Sequence, residues 1–168
     1  MADPQIKSPM DAWDIATVII YRSGFVIAGL GLLALPWAFA EALMAVLIGA
    51  VCCASSLHLY LKSYRLLFQF AVWLALLCAI LNWPLLALGG ALLTLGGLSF
   101  KEYFCFRVPL LNLQPIFVAA LWFALLLQWH WALVILALIA GILFLLLAVQ
   151  KWRMPLHFDI GDKTKYQI

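Results

Sequence analysis

Charge is scarce in this chain: 168 residues hold ten lysines and arginines and seven aspartates and glutamates, 10% of the total. A soluble globular domain carries about 25% charged residues. The shortfall, with 68% hydrophobic residues and a mean hydropathy of +1.12, excludes a water-soluble domain and indicates a membrane protein. The spacings that carry most chemistry are missing as well. Cysteines at positions 52, 53, 78 and 105 form neither a CxxC nor a CxxH pair, and no disulfide framework is expected. There is no Ser-His-Asp order, Walker loop, HExxH, EF-hand or Rossmann fingerprint. Cys52 and Cys53 precede His58 by six and five positions, whereas a shared helical face needs three or four. Neither a metal nor a cofactor is expected.

Basic residues are also absent from every second connector. Apolar runs end at Ala40, Leu61, Leu81, Phe100, Gln128 and Val149. Lys7 and Arg22 lie before or at the start of the first run, Lys62 and Arg65 follow the second, Lys101 and Arg107 the fourth, and Lys151, Arg153, Lys163 and Lys165 the sixth. The connectors after runs one, three and five hold Glu41, Asn82-Trp83-Pro84 and Trp129-His130-Trp131, with no lysine or arginine. Cytoplasmic loops are the ones enriched in Lys and Arg, so the alternation predicts six transmembrane helices with both termini cytoplasmic. Tryptophans favour the headgroup level. Trp13 and Trp152 fall at the expected inner interface, and Trp37, Trp83, Trp129 and Trp131 at the outer one.

The fold class expected is therefore all-α, a polytopic membrane helix bundle in a single integral membrane domain covering residues 1–168. Residues 1–22 read as an N-terminal interfacial helix, with Ser8 as N-cap and Pro9 at the first helical position. Residues 24–149 hold the six spans, and 150–168 form a cytoplasmic tail. An alternative runs the first span from about Trp13 to Leu35 with Arg22 drawn inside; it requires an acidic partner for Arg22, since a charge near the bilayer centre costs at least ~2.5–3.5 kcal/mol. Glu102 is the candidate for that structural ion pair. The start of the chain lacks the basic n-region of a secretory signal, so the first run reads as a retained anchor.

Small residues mark helix faces suited to close packing. Gly90, Thr94 and Gly97 stand at i, i+4 and i+7 in the fourth run, and Ala137 and Gly141 form a similar strip in the sixth. His58, Lys62 and Arg65 share the i, i+4, i+7 spacing on a helix leaving the membrane, a face suited to anionic lipid or another anion. In Lys101-Glu102-Tyr103-Phe104-Cys105-Phe106-Arg107, a helical course would set Lys101 beside Cys105, and a neighbouring cation favours the reactive thiolate. Asp159 and Asp162 flank Gly161 in the tail and read as acids of a solvated turn.

Tyr21-Arg22-Ser23-Gly24-Phe25, Leu57-His58-Leu59-Tyr60-Leu61, Lys101-Glu102-Tyr103-Phe104-Cys105-Phe106 and Asp159-Ile160-Gly161-Asp162-Lys163 together resemble a family of multi-pass integral membrane proteins of bacteria and photosynthetic lineages, grouped as a domain of unknown function. The resemblance covers nearly the whole chain and implies the fold without implying an activity. The leading functional expectation is a non-enzymatic scaffold or accessory component. The alternatives are a small anion channel or transporter acting as a homo-oligomer, and an enzyme using Cys105. Expected partners are the lipid bilayer, anionic lipids, and either another membrane protein or further copies of the chain; nucleic acid is not among them, since membrane orientation explains the positive charge. The expected location is the bacterial inner membrane, with a photosynthetic membrane as the alternative.

Overall fold

Asp11 starts the first helix. Its carboxylate accepts the Asp14 backbone N–H at 2.8 Å while its own N–H donates to the Asp14 carboxylate at 3.0 Å, a reciprocal cap that satisfies two otherwise orphaned donors. The computed structural model describes residues 9–56 and 59–166, so the expected Ser8 cap lies outside the described residues. From Asp11 the helix α1 runs without a break from Ala12–Ala34. The expected division into an interfacial piece ending at residue 22 and a span starting at 24 has no counterpart in the backbone. The helix matches the bounds of the alternative course from Trp13 towards Leu35, and a turn through Leu35, Pro36 and Trp37 follows it.

The other helices are α2 (Phe39–Ser55), α3 (Lys62–Ile80), α4 (Pro84–Phe106), α5 (Gln114–Leu126), α6 (His130–Arg153) and the short α7 (His157–Ile160). No strand occurs among the described residues. By length and composition four of these are able to cross a membrane, namely α1, α3, α4 and α6; α2 and α5 are apolar but shorter. Several boundaries depart from the sequence reading for local reasons. Helix α2 ends at Ser55 rather than continuing to Leu61; the Ser55 hydroxyl turns back onto the Cys52 carbonyl, the competition with the backbone that serine offers. Helix α4 continues through the expected connector to Phe106 and closes on Arg107, held at φ 49°. Helix α5 begins late, because Pro115 falls in its first turn, where no N–H is needed.

Two of the turns share one chemistry. Trp83 N–H donates to the Cys78 carbonyl and Trp129 N–H to the Ala124 carbonyl, the six-to-one bond of a Schellman cap. The left-handed residue that this cap requires is Asn82 in the first case and Gln128 in the second. Neither is glycine.

Consecutive helices pack side by side, α6 returns against α1, and α4 reaches inward to both α2 and α6. Backbones meet most closely where side chains vanish. A methyl group built on Gly49 would stand 2.7 Å from the Gly24 carbonyl oxygen, and one on Gly141 would stand 2.9 Å from that of Gly29. Helix α1 is thus clamped between α2 and α6, and Phe25 stacks on Phe144 at 5.9 Å in the interior. Outward faces carry large apolar groups, among them Phe70, Trp73 and Ile80 of α3, the surface expected of a chain surrounded by lipid.

Both ends of the described chain lie at one end of the bundle. The Lys163 ammonium reaches the Asp14 carboxylate, the Asp162 N–H donates to the Tyr60 hydroxyl at 2.9 Å, and the Tyr60 and Tyr166 rings meet edge to face at 5.0 Å. Hydrogen bonds from the Thr164 side chain and amide hold the Asp162 carboxyl below the usual range.

Candidate functional site

Arg22 is fully buried, which elementary electrostatics forbids without a partner. The partner is Asp159. Its Oδ2 lies 2.6 Å from Arg22 Nε and 2.5 Å from the Arg22 NH2 nitrogen, and the two terminal nitrogens also donate to the carbonyls of Met154 and Pro155 at 2.8 and 3.0 Å. One guanidinium thereby pins the segment between α6 and α7 onto α1. The direct pair between Arg22 and Glu102 expected from the sequence is replaced by a network in which Lys151 stands between them. Lys151 Nζ donates to Glu102 Oε2 at 2.8 Å and also contacts Asp159 Oδ1.

Glu102 completes the arrangement. Its Oε1 accepts the Tyr21 hydroxyl at 2.6 Å and Lys101 Nζ at 2.9 Å, so neither oxygen is idle. Lys151 also lies over the rings of Tyr21 and Phe106, 4.8 and 4.7 Å from their centroids, where the quadrupole of each ring favours a cation. Three cations thus face two carboxylates and leave one positive charge in excess. The exposures of the two lysines differ: the Lys151 side chain is 0% exposed and that of Lys101 30%.

Asp159 therefore has a role that its tail position conceals. Read as one acid of a solvated turn, it is a buried ion-pair member, while Asp162 beyond it stays at the surface. Lys151, Tyr21 and Asp159 were not candidate site residues on sequence grounds. Lys151 ends a long apolar run and reads as a topogenic charge. The one available signal was Arg22, whose place inside an apolar run demands an acid somewhere.

The outer side of the cluster borders a cavity of about 580 Å³, within the usual range of roughly 300–1,000 Å³ for ligand pockets. Lys101, Glu102 and Asp159 supply polar lining, and Tyr60, Tyr64, Phe104, Cys105 and Phe158 are among the other walls. Because α4 is helical through Phe106, Lys101 and Cys105 do stand at i and i+4, and both border this space.

The other sequence candidates among the described residues lie on α3, α4 and α6. His58 lies outside the described residues. Lys62 and Arg65 belong to the first turns of α3 rather than to the end of α2, and Leu59 to Leu61 between the helices are not helical. Of the expected face through His58, Lys62 and Arg65, the described part, Lys62 and Arg65, lies on α3. Gly90 faces Ala71 and Ala75 of α3, Gly97 faces Phe68 of α3, and buried Thr94 bonds to the Gly90 carbonyl at 3.2 Å. Ala137 is buried, and Gly141 receives Leu33 and Gly29 of α1. Among the described residues no group of three or more His, Cys, Asp or Glu is placed to hold a metal.

These features define a helical integral membrane protein with a buried ionic cluster at one end. Residues 42–168 match the family described as "Uncharacterized integral membrane protein (DUF2301)", and the chain belongs to that family. It is 70% identical over 168 residues to an "Uncharacterized protein" of Haemophilus influenzae, with all of both chains covered. No solved structure matches it.

Proposed function

We propose that the protein is a non-enzymatic scaffold or accessory component that crosses the bacterial inner membrane six times and works through its cytoplasmic end. The observation that carries this reading is the ionic network itself. Each carboxylate oxygen of Glu102 and Asp159 is engaged by a cation or a hydroxyl, and the engaged groups come from α1, α4, α6 and α7. Such a network fixes a surface in shape. The placement of Lys62 and Arg65 supports the orientation: they open α3, where the helix dipole disfavours cations, so compartment rather than local helix energetics accounts for them.

Lysine-directed crosslinking with mass spectrometry in native membranes tests the reading. Crosslinks from Lys62, Lys101, Lys163 or Lys165 to one co-purifying membrane protein at fixed stoichiometry support it. A lone monomer at every detergent strength, with only internal crosslinks, would falsify it.

A second reading, a small anion channel or transporter working as a homo-oligomer, is favoured by one specific feature. Gly89, Gly90, Gly96 and Gly97 line a groove of about 530 Å³; Phe68 and Trp122 already stand against Gly97 and Gly89, and a second copy of the chain would seat in the space left between those two rings. Anion flux into reconstituted vesicles supports this reading, and its absence with and without a proton gradient removes it.

A further inference from the structure

The cavity beside the ionic cluster shows an imbalance between donors and acceptors. Its two carboxylates are fully engaged, as described above, so the acceptor side is closed. Donors remain open. Lys101 Nζ gives one N–H to Glu102, and its other two meet no acceptor among the described residues. The Tyr64 hydroxyl has no partner among the described residues, and the Tyr60 oxygen accepts from Asp162 while keeping its own O–H to donate. With one positive charge in excess, these donors suit a group that only accepts hydrogen bonds and is negatively charged.

The remaining walls are of the opposite character. Phe104, Phe158 and Leu61 are among them, and Phe104, Leu61 and Tyr64 are also exposed on the outer surface, so the polar floor continues into an apolar flank between the start of α3 and the end of α4. An ion without a tail would leave that flank unfilled. We propose that this cavity binds an anionic amphiphile, with its phosphate or carboxylate head on Lys101, Tyr60 and Tyr64 and its acyl chain along Phe104 and Leu61. The two sources of such a molecule are an anionic phospholipid of the bilayer and a free fatty acid. Neither Lys62 nor Arg65 lines this site, and it holds whether or not the protein is a scaffold.

The full-length protein in neutral detergent is irradiated with diazirine-bearing phosphatidylglycerol, phosphatidylcholine or palmitate, and labelled residues are mapped by mass spectrometry. Labelling is expected between Tyr60 and Tyr64 and between Phe104 and Phe106, from one or both anionic probes in preference to phosphatidylcholine. Phosphatidylglycerol labelling that palmitate does not displace identifies the bilayer source; the reverse identifies the free acid. Lys101→Gln is expected to reduce labelling about tenfold or more, the loss of a charge-assisted contact. Cys105→Trp, placed on an exposed cysteine, narrows the cavity and is expected to abolish labelling while size-exclusion elution stays unchanged; this variant decides the matter should Lys101→Gln fail to fold. No label in the cavity, equal label from phosphatidylcholine, or label indifferent to Cys105→Trp overturns the proposal.

Discussion

Arg22 and Asp159 stand 137 positions apart in the chain and 2.6 Å apart in space. The contact joins α1 to the segment after α6, beside the polar links from Tyr21 to Glu102 and from Lys163 to Asp14. Removing one member leaves a buried charge uncompensated, which costs about 3–5 kcal/mol. Asp159→Ala is expected to lower the unfolding temperature in detergent by a corresponding amount. Combining Arg22→Met with Asp159→Leu is expected to recover part of the loss, since both charges are then gone. An Asp159→Ala protein as stable as the parent would show that the pair contributes nothing.

The two lysines that touch Glu102 are expected to differ in weight. Lys151→Gln strips the buried carboxylates of their shared cation and should destabilise by about 3–5 kcal/mol. Lys101→Gln changes a partly exposed pair and should stay within about 1 kcal/mol. Denaturation in mixed micelles compares the two directly, and equal losses contradict the burial difference.

Close helix approach at Gly49 gives a third expectation. An added methyl group would stand 2.7 Å from the Gly24 oxygen and 2.8 Å from the Ala28 nitrogen, both backbone atoms that cannot swing away. Gly49→Ala should therefore cost about 1–3 kcal/mol by overpacking. Thermal unfolding of the purified variant is the measurement, and an unchanged midpoint would mean that α1 and α2 are farther apart.

The Schellman cap between α5 and α6 offers a change in the stabilising direction. Gln128 sits at φ 55°, a conformation that costs an L-residue with a side chain about 1–2 kcal/mol. Glycine removes that strain but loses more chain entropy on folding. Gln128→Gly is expected to stabilise by about 0.5–1 kcal/mol, and a lower unfolding temperature would contradict the cap.

The helices were legible from the sequence because apolar runs and the alternation of basic connectors are local signals. Their ends were less so. Ser55 and Ser56 break α2 before Leu61, and nothing marks α4 as continuing through Lys101 to Phe106 once its apolar run has stopped. The ionic cluster was legible only as a demand: Arg22 inside an apolar run needs an acid. Glu102 and Asp159 were both available, and choosing between them required knowing that α6 delivers Lys151 to Glu102 and turns the tail back onto α1. That information lies in packing between helices, which no spacing in the chain records.

Six crossings with the basic connectors on one side are the premise of the proposed function, and single-cysteine labelling tests it most directly. In a cysteine-free background, Trp37→Cys, Trp83→Cys and Trp129→Cys probe one end of the bundle, and Lys62→Cys, Arg107→Cys and Lys165→Cys the other. Spheroplasts are treated with a membrane-impermeant maleimide before and after lysis. The expected result is labelling of the three tryptophan positions in intact spheroplasts and of the three basic positions only after lysis. Labelling of Lys62→Cys or Lys165→Cys from outside, or protection of Trp83→Cys, contradicts the six-span arrangement.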